Sequence, residues 1–449
     1  MKSLEFTYLN IKNWKMKKNK LIGVIQHGCA KNLVDTELML GILEKAGYKT
    51  TLDVHDKNVK TVIINTCSFI CDAEKESIQS IFEMINAGKK IIVTGCLPQK
   101  HKLELKKLLG EVSGFIGTCD FKDIVKAVES EEFYSVSENP CYIYPEDVER
   151  AQITVGSSSY IKIADGCNYS CGYCVIPQLR GKYKSRKIED IVKEAQKLAD
   201  KGVSEIILIA QDTTSYGIDL YKKPCLDKLL EELNKIDNIN WIRVLYAYPT
   251  NFTDGLINAY KNLEKVVKYI DIPLQHSHKD VLKRMKRPVI DQEKLIKKLR
   301  KEIPNVAIRT TFIVGYPQET QEEFEHLYNF VKKMKFERLG VFEYSREKNT
   351  YSYSLKPQVP AKIKHARKNK ILKLQKEISK KNNLNFISKT IQCIIEEVHN
   401  NGMIIARSYA DAPEVDGLVY VKTNDYLSPG QIINVKVTGA DSYDLVAKL

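Results

Sequence analysis

Short apolar runs alternate with helix-patterned stretches from Leu21 to about Val136. Leu21–Gln26, Thr61–Thr66, Lys90–Gly95 and Gly114–Gly117 have the length and content of strands, and Asn32–Ala46 repeats apolar residues at helical spacing. Parallel strands need crossovers and the crossover helices cover the sheet, so this alternation predicts a doubly wound parallel sheet of α/β class. No glycine-rich phosphate loop follows the first run, which excludes the nucleotide-binding version of that fold. Glu138–Glu146, with its Pro and Tyr residues, reads as a linker.

A second series follows, with strands expected at Ser159–Ala164, Glu205–Ala210, Trp241–Tyr246, Lys268–Ile272, Ala307–Val314 and Arg338–Tyr344. Helical stretches at Ile188–Lys201, Cys225–Ile236, Gln292–Glu302 and Thr320–Met334 separate them. Six strands are too few for a closed eight-unit barrel, so an open six-unit βα barrel, a partial TIM barrel, is expected, with its chemistry at the strand C-terminal ends. Pro357 and Pro360 then precede a basic helix, read as a solvated linker. Beyond it the runs Ile391–Val398, Met403–Ala406, Gly417–Lys422, Ile432–Thr438 and Leu445–Ala447 predict a small five-stranded β-barrel. The expected domains are 21–136, 153–383 and 386–449, in keeping with a chain of 449 residues.

Charge and cysteine content sharpen this picture. The net charge of +14 is concentrated in residues 1–20 (+5) and Lys356–Lys381 (+9), whereas Phe386–Leu449 carries −3. A basic helix invites contact with RNA, and an acidic terminal barrel favours a basic partner. No apolar run reaches membrane-spanning length and Met1–Lys20 lacks the apolar core of a secretory signal, so a cytoplasmic location without membrane attachment is expected. In that reducing compartment eleven cysteines read as metal ligands or buried thiols.

Cys167, Cys171 and Cys174 form C-x-x-x-C-x-x-C directly after the first strand of the second series. A closed zinc site needs a fourth ligand, and none lies close in sequence. Three thiolates on a 4Fe–4S cluster leave one iron open to a small molecule. Cys29, Cys67 and Cys96 each follow an apolar strand, in HGC, NTC and TGC, so a parallel sheet brings all three to one edge, where helix N-termini favour thiolate. Either a second cluster or three unrelated core cysteines fits that spacing. Cys71, Cys119, Cys141, Cys225 and Cys393 read as small buried hydrophobes, and His27 and His276 as satisfied structural histidines.

The C-x-x-x-C-x-x-C loop resembles that of the radical S-adenosylmethionine (SAM) superfamily. From Leu21 onward the chain resembles its methylthiotransferase family, and GCAKNLVDTE (Gly28–Glu37), DGCNYSCGYCVIPQLRGKYKSR (Asp165–Arg186), ILIAQDTTSYG (Ile207–Gly217), DIPLQH, TTFIVGYPQET and RSYADAPEVDG are similar to the RimO branch. The resemblance implies two 4Fe–4S clusters, one on Cys167, Cys171 and Cys174 that binds SAM, and an auxiliary one on Cys29, Cys67 and Cys96. It implies a terminal barrel of the TRAM type and methylthiolation of the β-carbon of an aspartate in protein twelve of the small ribosomal subunit, free or on the ribosome. Two SAM molecules serve each product, one as methyl donor and one as radical source, because an unactivated C–H bond is beyond any side-chain base. A flavodoxin or ferredoxin would supply electrons. Tyr173 takes the position that usually touches adenine, and Gln211, Arg309 and Gly315, expected at strand ends, are assigned to SAM as a guess. The alternatives are the MiaB-like branch, which methylthiolates a tRNA adenosine, and a non-catalytic iron–sulfur RNA-binding sensor, which needs no open iron.

Overall fold

The computed structural model describes residues 20–141, 150–153, 156–423 and 425–449. The N-terminal extension and most of the expected linker at Glu138–Glu146 lie outside the described residues. The chain divides into two compact units, Met1–Ile153 with Gln178–Gly181, and Thr154–Pro177 with Lys182–Leu449. Among the described residues no helix is long and apolar enough to cross a membrane.

The N-terminal unit runs β1 (Leu21–Gln26), α1 (Ala30–Lys45), β2 (Lys49–Thr51), β3 (Thr61–Thr66), α2 (Cys71–Asn86), β4 (Lys90–Gly95), α3 (Cys96–Leu108), β5 (Gly114–Ile116), α4 (Ile124–Glu129) and β6 (Phe133–Ser135). Its sheet is parallel throughout, in the order β2-β1-β3-β4-β5-β6. In β3 and β4 every residue after the first is buried, as expected for strands covered on both faces. The order reverses between β1 and β3, and a crevice opens outside the strand C-termini at such a switch point. The edge strands β2 and β6, KTT and FYS, escaped the sequence reading because three residues carry no periodicity.

The chain continues through β7 (Ser158–Lys162), β8 (Ala164–Asp165), α5 (Ile176–Arg180), β9 (Lys184–Ser185), α6 (Ile188–Asp200), β10 (Glu205–Ile209), α7 (Ile218–Tyr221), α8 (Leu226–Leu233), β11 (Trp241–Val244) and α9 (Asp254–Asn262). Next come β12 (Val266–Asp271), α10 (Lys279–Arg284), α11 (Gln292–Glu302), β13 (Ala307–Val314), α12 (Gln321–Met334), β14 (Arg338–Glu343) and α13 (Ala361–Leu384). The six long strands pair in parallel as β7-β10-β11-β12-β13-β14, an open six-unit sheet. Helix α6 shows why the layers pack: Ile191, Ala195, Leu198 and Ala199 recur on one face and enter the core shared with Ile206 and Leu208 of β10. Helix α13 is not a detached linker. Ile371 and Ile378 join the same core, and Arg367 Nη1 donates to Glu319 Oε1 at 2.8 Å.

The terminal strands β15 (Thr390–Val398), β16 (Met403–Ser408), β17 (Val419–Lys422), β18 (Ile432–Ala440) and β19 (Leu445–Lys448) close a barrel in the order β15-β16-β17-β19-β18. Alternate residues, among them Ile391, Cys393, Val435 and Val437, fill it.

A buried ion network joins this barrel to the N-terminal ends of the six parallel strands. Glu205, the first residue of β10, accepts from Arg243 Nε at 2.7 Å, from Ser158 Oγ at 2.8 Å, and from Arg407 of β16. Arg407 Nη2 also lies 2.7 Å from Glu396, and Arg243 Nη1 donates to the Tyr409 carbonyl at 2.9 Å. Nearby, Arg338 Nε donates to Asp411 Oδ1 at 2.6 Å, and the Tyr269 hydroxyl donates to Asp416 Oδ2 at 2.6 Å. Burial opposes ionisation of Glu205, but the Arg407 and Arg243 guanidiniums overcome it and hold the carboxyl at about 2. Part of the barrel's acidic excess is thus consumed inside the molecule. On its outer face four lysines (Lys389, Lys422, Lys436, Lys448) and four acids (Glu397, Glu414, Asp425, Asp441) are exposed, with Glu396 and Asp444 half-exposed, so the acidic excess at the surface is smaller than the sequence count.

Arg407→Met leaves the buried Glu205 carboxylate with Arg243 as its remaining guanidinium partner, and removal of one partner from a buried ion network costs up to about 3–5 kcal/mol. Chemical denaturation at pH 7 should show that loss. Because the folded carboxyl titrates below its usual value, its contribution is present above about pH 4.5 and fades as the pH falls towards 2, so the gap between wild type and variant should narrow on acidification. An equal gap at pH 7 and pH 3 would count against this account.

Candidate iron–sulfur sites

In the N-terminal unit three thiols meet at the switch point. Cys29 precedes α1, Cys67 follows β3 and Cys96 opens α3. Glycine precedes two of them for a steric reason. Gly28 and Gly95 both have φ of 92°, and a Cβ would lie 2.9 Å from the Cys67 Cβ at Gly28 and 2.3 Å from Asn65 Oδ1 at Gly95. The chain therefore turns sharply ahead of Cys29 and Cys96, and Cys67 Sγ lies so close to the first turn that a Cβ at Gly28 would meet it at 3.2 Å. Cys29 Sγ and Cys96 Sγ are each 3.9 Å from Asn32 Oδ1, and Asn32 Nδ2 donates to the Thr66 carbonyl at 3.0 Å. Burial pushes the Cys67 thiol up to about 12, with the neighbouring charges of Cys96 and Cys29 adding to the shift. Burial also raises Cys96, while Arg180 opposes it. That arginine, 2% exposed, donates to Asp35 Oδ2 at 2.5 Å and to Asn32 Oδ1 at 2.7 Å, with Nη2 4.0 Å from Cys96 Sγ.

In the second unit the loop after β7 carries Cys167, Cys171 and Cys174. Its launch is fixed by a buried ion pair, Lys162 Nζ to Asp165 Oδ2 at 2.8 Å, while Asp165 Oδ1 accepts from Gly166 N at 2.9 Å and from Gln211 Nε2 at 2.5 Å. Gly172 N donates to the Met285 carbonyl, and Ser352 N donates to the Gly172 carbonyl, both at 2.8 Å, so the loop is pinned from two sides. Tyr169 stacks on Tyr248 at 4.0 Å, and Arg287 lies 4.3 Å from the Tyr248 ring and donates to Cys171. Burial pushes Cys167 up to about 11 and Cys174 up to about 12, against the pull of the Tyr169 and Ile176 backbone N–H groups and of Arg287.

The donor chemistry fits iron–sulfur clusters. Each centre offers three sulfurs, and a thiol raised this far gives up its proton when a metal takes the sulfur. Among the described residues no three His, Cys, Asp or Glu side chains close on a single metal ion. A cubane does not require that, because it presents a separate iron to each thiolate. Gln211 Oε1, buried just beyond β10, has no hydrogen-bond partner, an acceptor left over for a bound molecule.

The other expected residues divide. Gly315 follows β13 directly, with its N–H donating to Glu319 Oε2 at 2.7 Å. Tyr173 packs beside Val281, Met285, Tyr316 and Tyr344. Arg309 is not at a strand end: it is the third residue of β13, and its guanidinium is taken by Asp271 at 3.1 Å and Asp416 at 3.4 Å. Cys119, Cys225 and Cys393 are buried as expected, whereas Cys71 and Cys141 are exposed. His27 has Ser80 Oγ within 2.9 Å as expected, whereas the fully buried His276 is only half satisfied: Nδ1 accepts from His278 N at 3.0 Å and Nε2 has no hydrogen-bond partner. Asn32, Asp35, Arg180 and Arg287 were not singled out. The first three lie in motif runs already quoted, yet nothing in the sequence shows that positions so far apart converge.

A parallel sheet and an open six-strand βα barrel, each with a cysteine triad at its strand ends, define an iron–sulfur enzyme of radical SAM architecture. Residues 161–331 match the Radical SAM superfamily, residues 21–117 a family described as Uncharacterized protein family UPF0004, and residues 387–449 the TRAM domain. Ribosomal protein uS12 methylthiotransferase RimO of Thermoanaerobacter sp. (strain X514) is 48% identical over 96% of this chain and 100% of its own length. The protein of the same name from Caldanaerobacter subterraneus subsp. tengcongensis is 49% identical over 95% and 99%, and that of Prochlorococcus marinus (strain AS9601) 43% over 98% of each. The chain belongs to this RimO family of methylthiotransferases. In architecture it is similar to the radical S-adenosylmethionine methyltransferase TsrM from Kitasatospora setae, with a TM-score of 0.55 at 14% identity, covering 74% of this chain and 77% of that one.

Gly95→Ala places a Cβ against Asn65 and the Thr66 backbone at a left-handed φ. A loss of about 1–3 kcal/mol in unfolding free energy is expected, together with less iron retained after reconstitution. An unchanged denaturation midpoint would contradict the proposed turn geometry.

Proposed function

We propose that this chain methylthiolates the β-carbon of an aspartate in ribosomal protein uS12, with Cys167, Cys171 and Cys174 holding the SAM-binding 4Fe–4S cluster and Cys29, Cys67 and Cys96 the auxiliary one. The observation that carries the reading is the convergence of two separate sulfur triads within a chain nearly half identical, end to end, to named uS12 methylthiotransferases. When bound, the clusters and SAM supply the radical, the methyl group and the sulfur site; two SAM molecules are used per product.

The protein's part is to hold and to exclude. The Lys162–Asp165 pair and the Met285 and Ser352 backbone contacts set the three-cysteine loop at the barrel's strand ends. The Tyr169–Tyr248 stack and the Arg287 guanidinium lie beside the half-buried Cys171, so an electron reaching that loop meets a positively biased site. Gln211 Oε1 offers an acceptor beside it. Free thiols and a ribosomal substrate suit activity in the cytoplasm, and a flavodoxin or ferredoxin is the electron donor we propose. Lys373, Lys376 and Lys380, exposed at helical spacing on α13, suit a secondary contact with RNA beside the ribosomal substrate.

Anaerobic reconstitution with iron and sulfide, followed by SAM and dithionite, should convert uS12 to a product with a methylthio mass gain on aspartate, read by tandem mass spectrometry. A tRNA offered in the same tube should stay unmodified; modification of adenosine instead would overturn the substrate assignment. Cys174→Ala should drop bound iron from about eight to about four per chain and abolish SAM cleavage. Cys96→Ala should lose a comparable amount of iron yet still form 5′-deoxyadenosine, with no methylthio product.

A further inference from the structure

We infer that Arg180 is a positioning residue for the auxiliary cluster: its guanidinium fixes the Cys96 side of the site and makes that cluster easier to reduce than three thiolates alone would leave it. The inference rests on the assignment of Cys29, Cys67 and Cys96 made above.

Arg180 belongs to this site although it lies six residues beyond Cys174, because Gln178–Gly181 groups with the N-terminal unit. It is 2% exposed, and a buried guanidinium survives only where its donors and charge are met. Asp35 meets the charge through Nη1 at 2.5 Å, Asn32 takes Nη2 at 2.7 Å, and the same Nη2 faces Cys96 Sγ at 4.0 Å. Both anchors come from α1, one turn apart on its first two turns, so the fork is held in plane from one side and aimed at sulfur on the other. Asn32 is the hub: its Oδ1 is 3.9 Å from Cys29 Sγ as well as from Cys96 Sγ, and its Nδ2 ties it to Thr66 at the end of β3. A shift of Arg180 therefore moves the contacts of two cysteines at once.

The electrical consequence follows from burial. In a low-dielectric setting a cation at this range acts strongly on the sulfur it faces, and reduction adds negative charge to the cluster. Hydrogen bonds and positive charge directed at cluster sulfurs stabilise that reduced form and raise the potential. Asp35, behind the guanidinium, acts with the opposite sign. The triad in the second unit has its own counterpart in Arg287, which donates to Cys171. One buried arginine on one cysteine of each triad is a shared solution to the same problem.

The test uses the full-length chain carrying Cys167→Ala, Cys171→Ala and Cys174→Ala, so that any remaining cluster signal is the auxiliary one, titrated by electron paramagnetic resonance against potential. Adding Arg180→Met should shift the midpoint to more negative values, and adding Asp35→Asn instead should shift it to more positive values, with altered g-values in both. A purely structural role predicts that both substitutions act alike, since both break the same ion pair. Midpoints that stay put, or that move in the same direction, would overturn the inference while leaving the cluster assignment standing. If Arg180→Met retains no iron, the sign of the Asp35→Asn shift decides. If the triple-alanine chain with native Arg180 holds no cluster, the assignment fails and takes the inference with it.

Discussion

Three thiols buried in one pocket cannot all ionise unless positive charge meets them, and this constraint organises both halves of the chain. Burial is the largest cause that pushes Cys67 and Cys174 up to about 12, and the neighbouring cysteines of each triad add to it. Backbone N–H groups at the turns and one guanidinium directed at each triad oppose that shift. The fold supplies these on a common plan. Parallel strands end together, the chain turns at glycine or at a pinned loop, and a helix or helical turn begins with its N–H groups exposed. Two unrelated topologies, a six-strand sheet with a switch point and an open barrel, thus deliver three sulfurs to one rim.

The opposite end of the open barrel faces a different problem. A parallel barrel with only six strands leaves polar and charged residues at its N-terminal mouth, and Glu205, Arg243, Tyr269 and Arg338 all lie near it. The terminal barrel meets them with Arg407, Asp411 and Asp416, so charges that would be costly in isolation are paired. The contact reaches inward as well. Asp416 binds Arg309, Arg309 binds Asp271, and Asp271 Oδ2 accepts from Tyr246 N at 3.0 Å, where Tyr246 sits at a φ of 60° beyond the end of β11. The barrel that matches the TRAM domain is here part of the scaffold that holds the strand ends.

Much of this was legible in the amino-acid sequence. Long buried strands announce themselves as continuous apolar runs, and β1, β3, β4 and β13 fall where the pattern puts them, as do the six parallel strands and the five of the terminal barrel. The edge strands β2 and β6 did not, since three half-exposed residues have no signature. The cysteine triads were readable because strand-then-cysteine recurs three times in one series and the other triad is compact. The side chains that complete those sites were not, because Arg180 lies 148 positions from Asn32 and only tertiary packing joins them. Arg309 misled for a related reason: an arginine within a barrel strand resembles a ligand contact until its two carboxylate partners are seen.

Charge was the least reliable guide, and the reason is general. Net charge counts side chains, whereas a partner meets only those at the surface. Of the terminal barrel's acids, Asp411 and Asp416 are buried against arginines, and its one arginine is buried too, so the excess presented at the surface is smaller than the sequence count. The field of the TRAM surface is thus weaker than its sequence implies, and a preference for a protein over an RNA cannot be read from net charge alone.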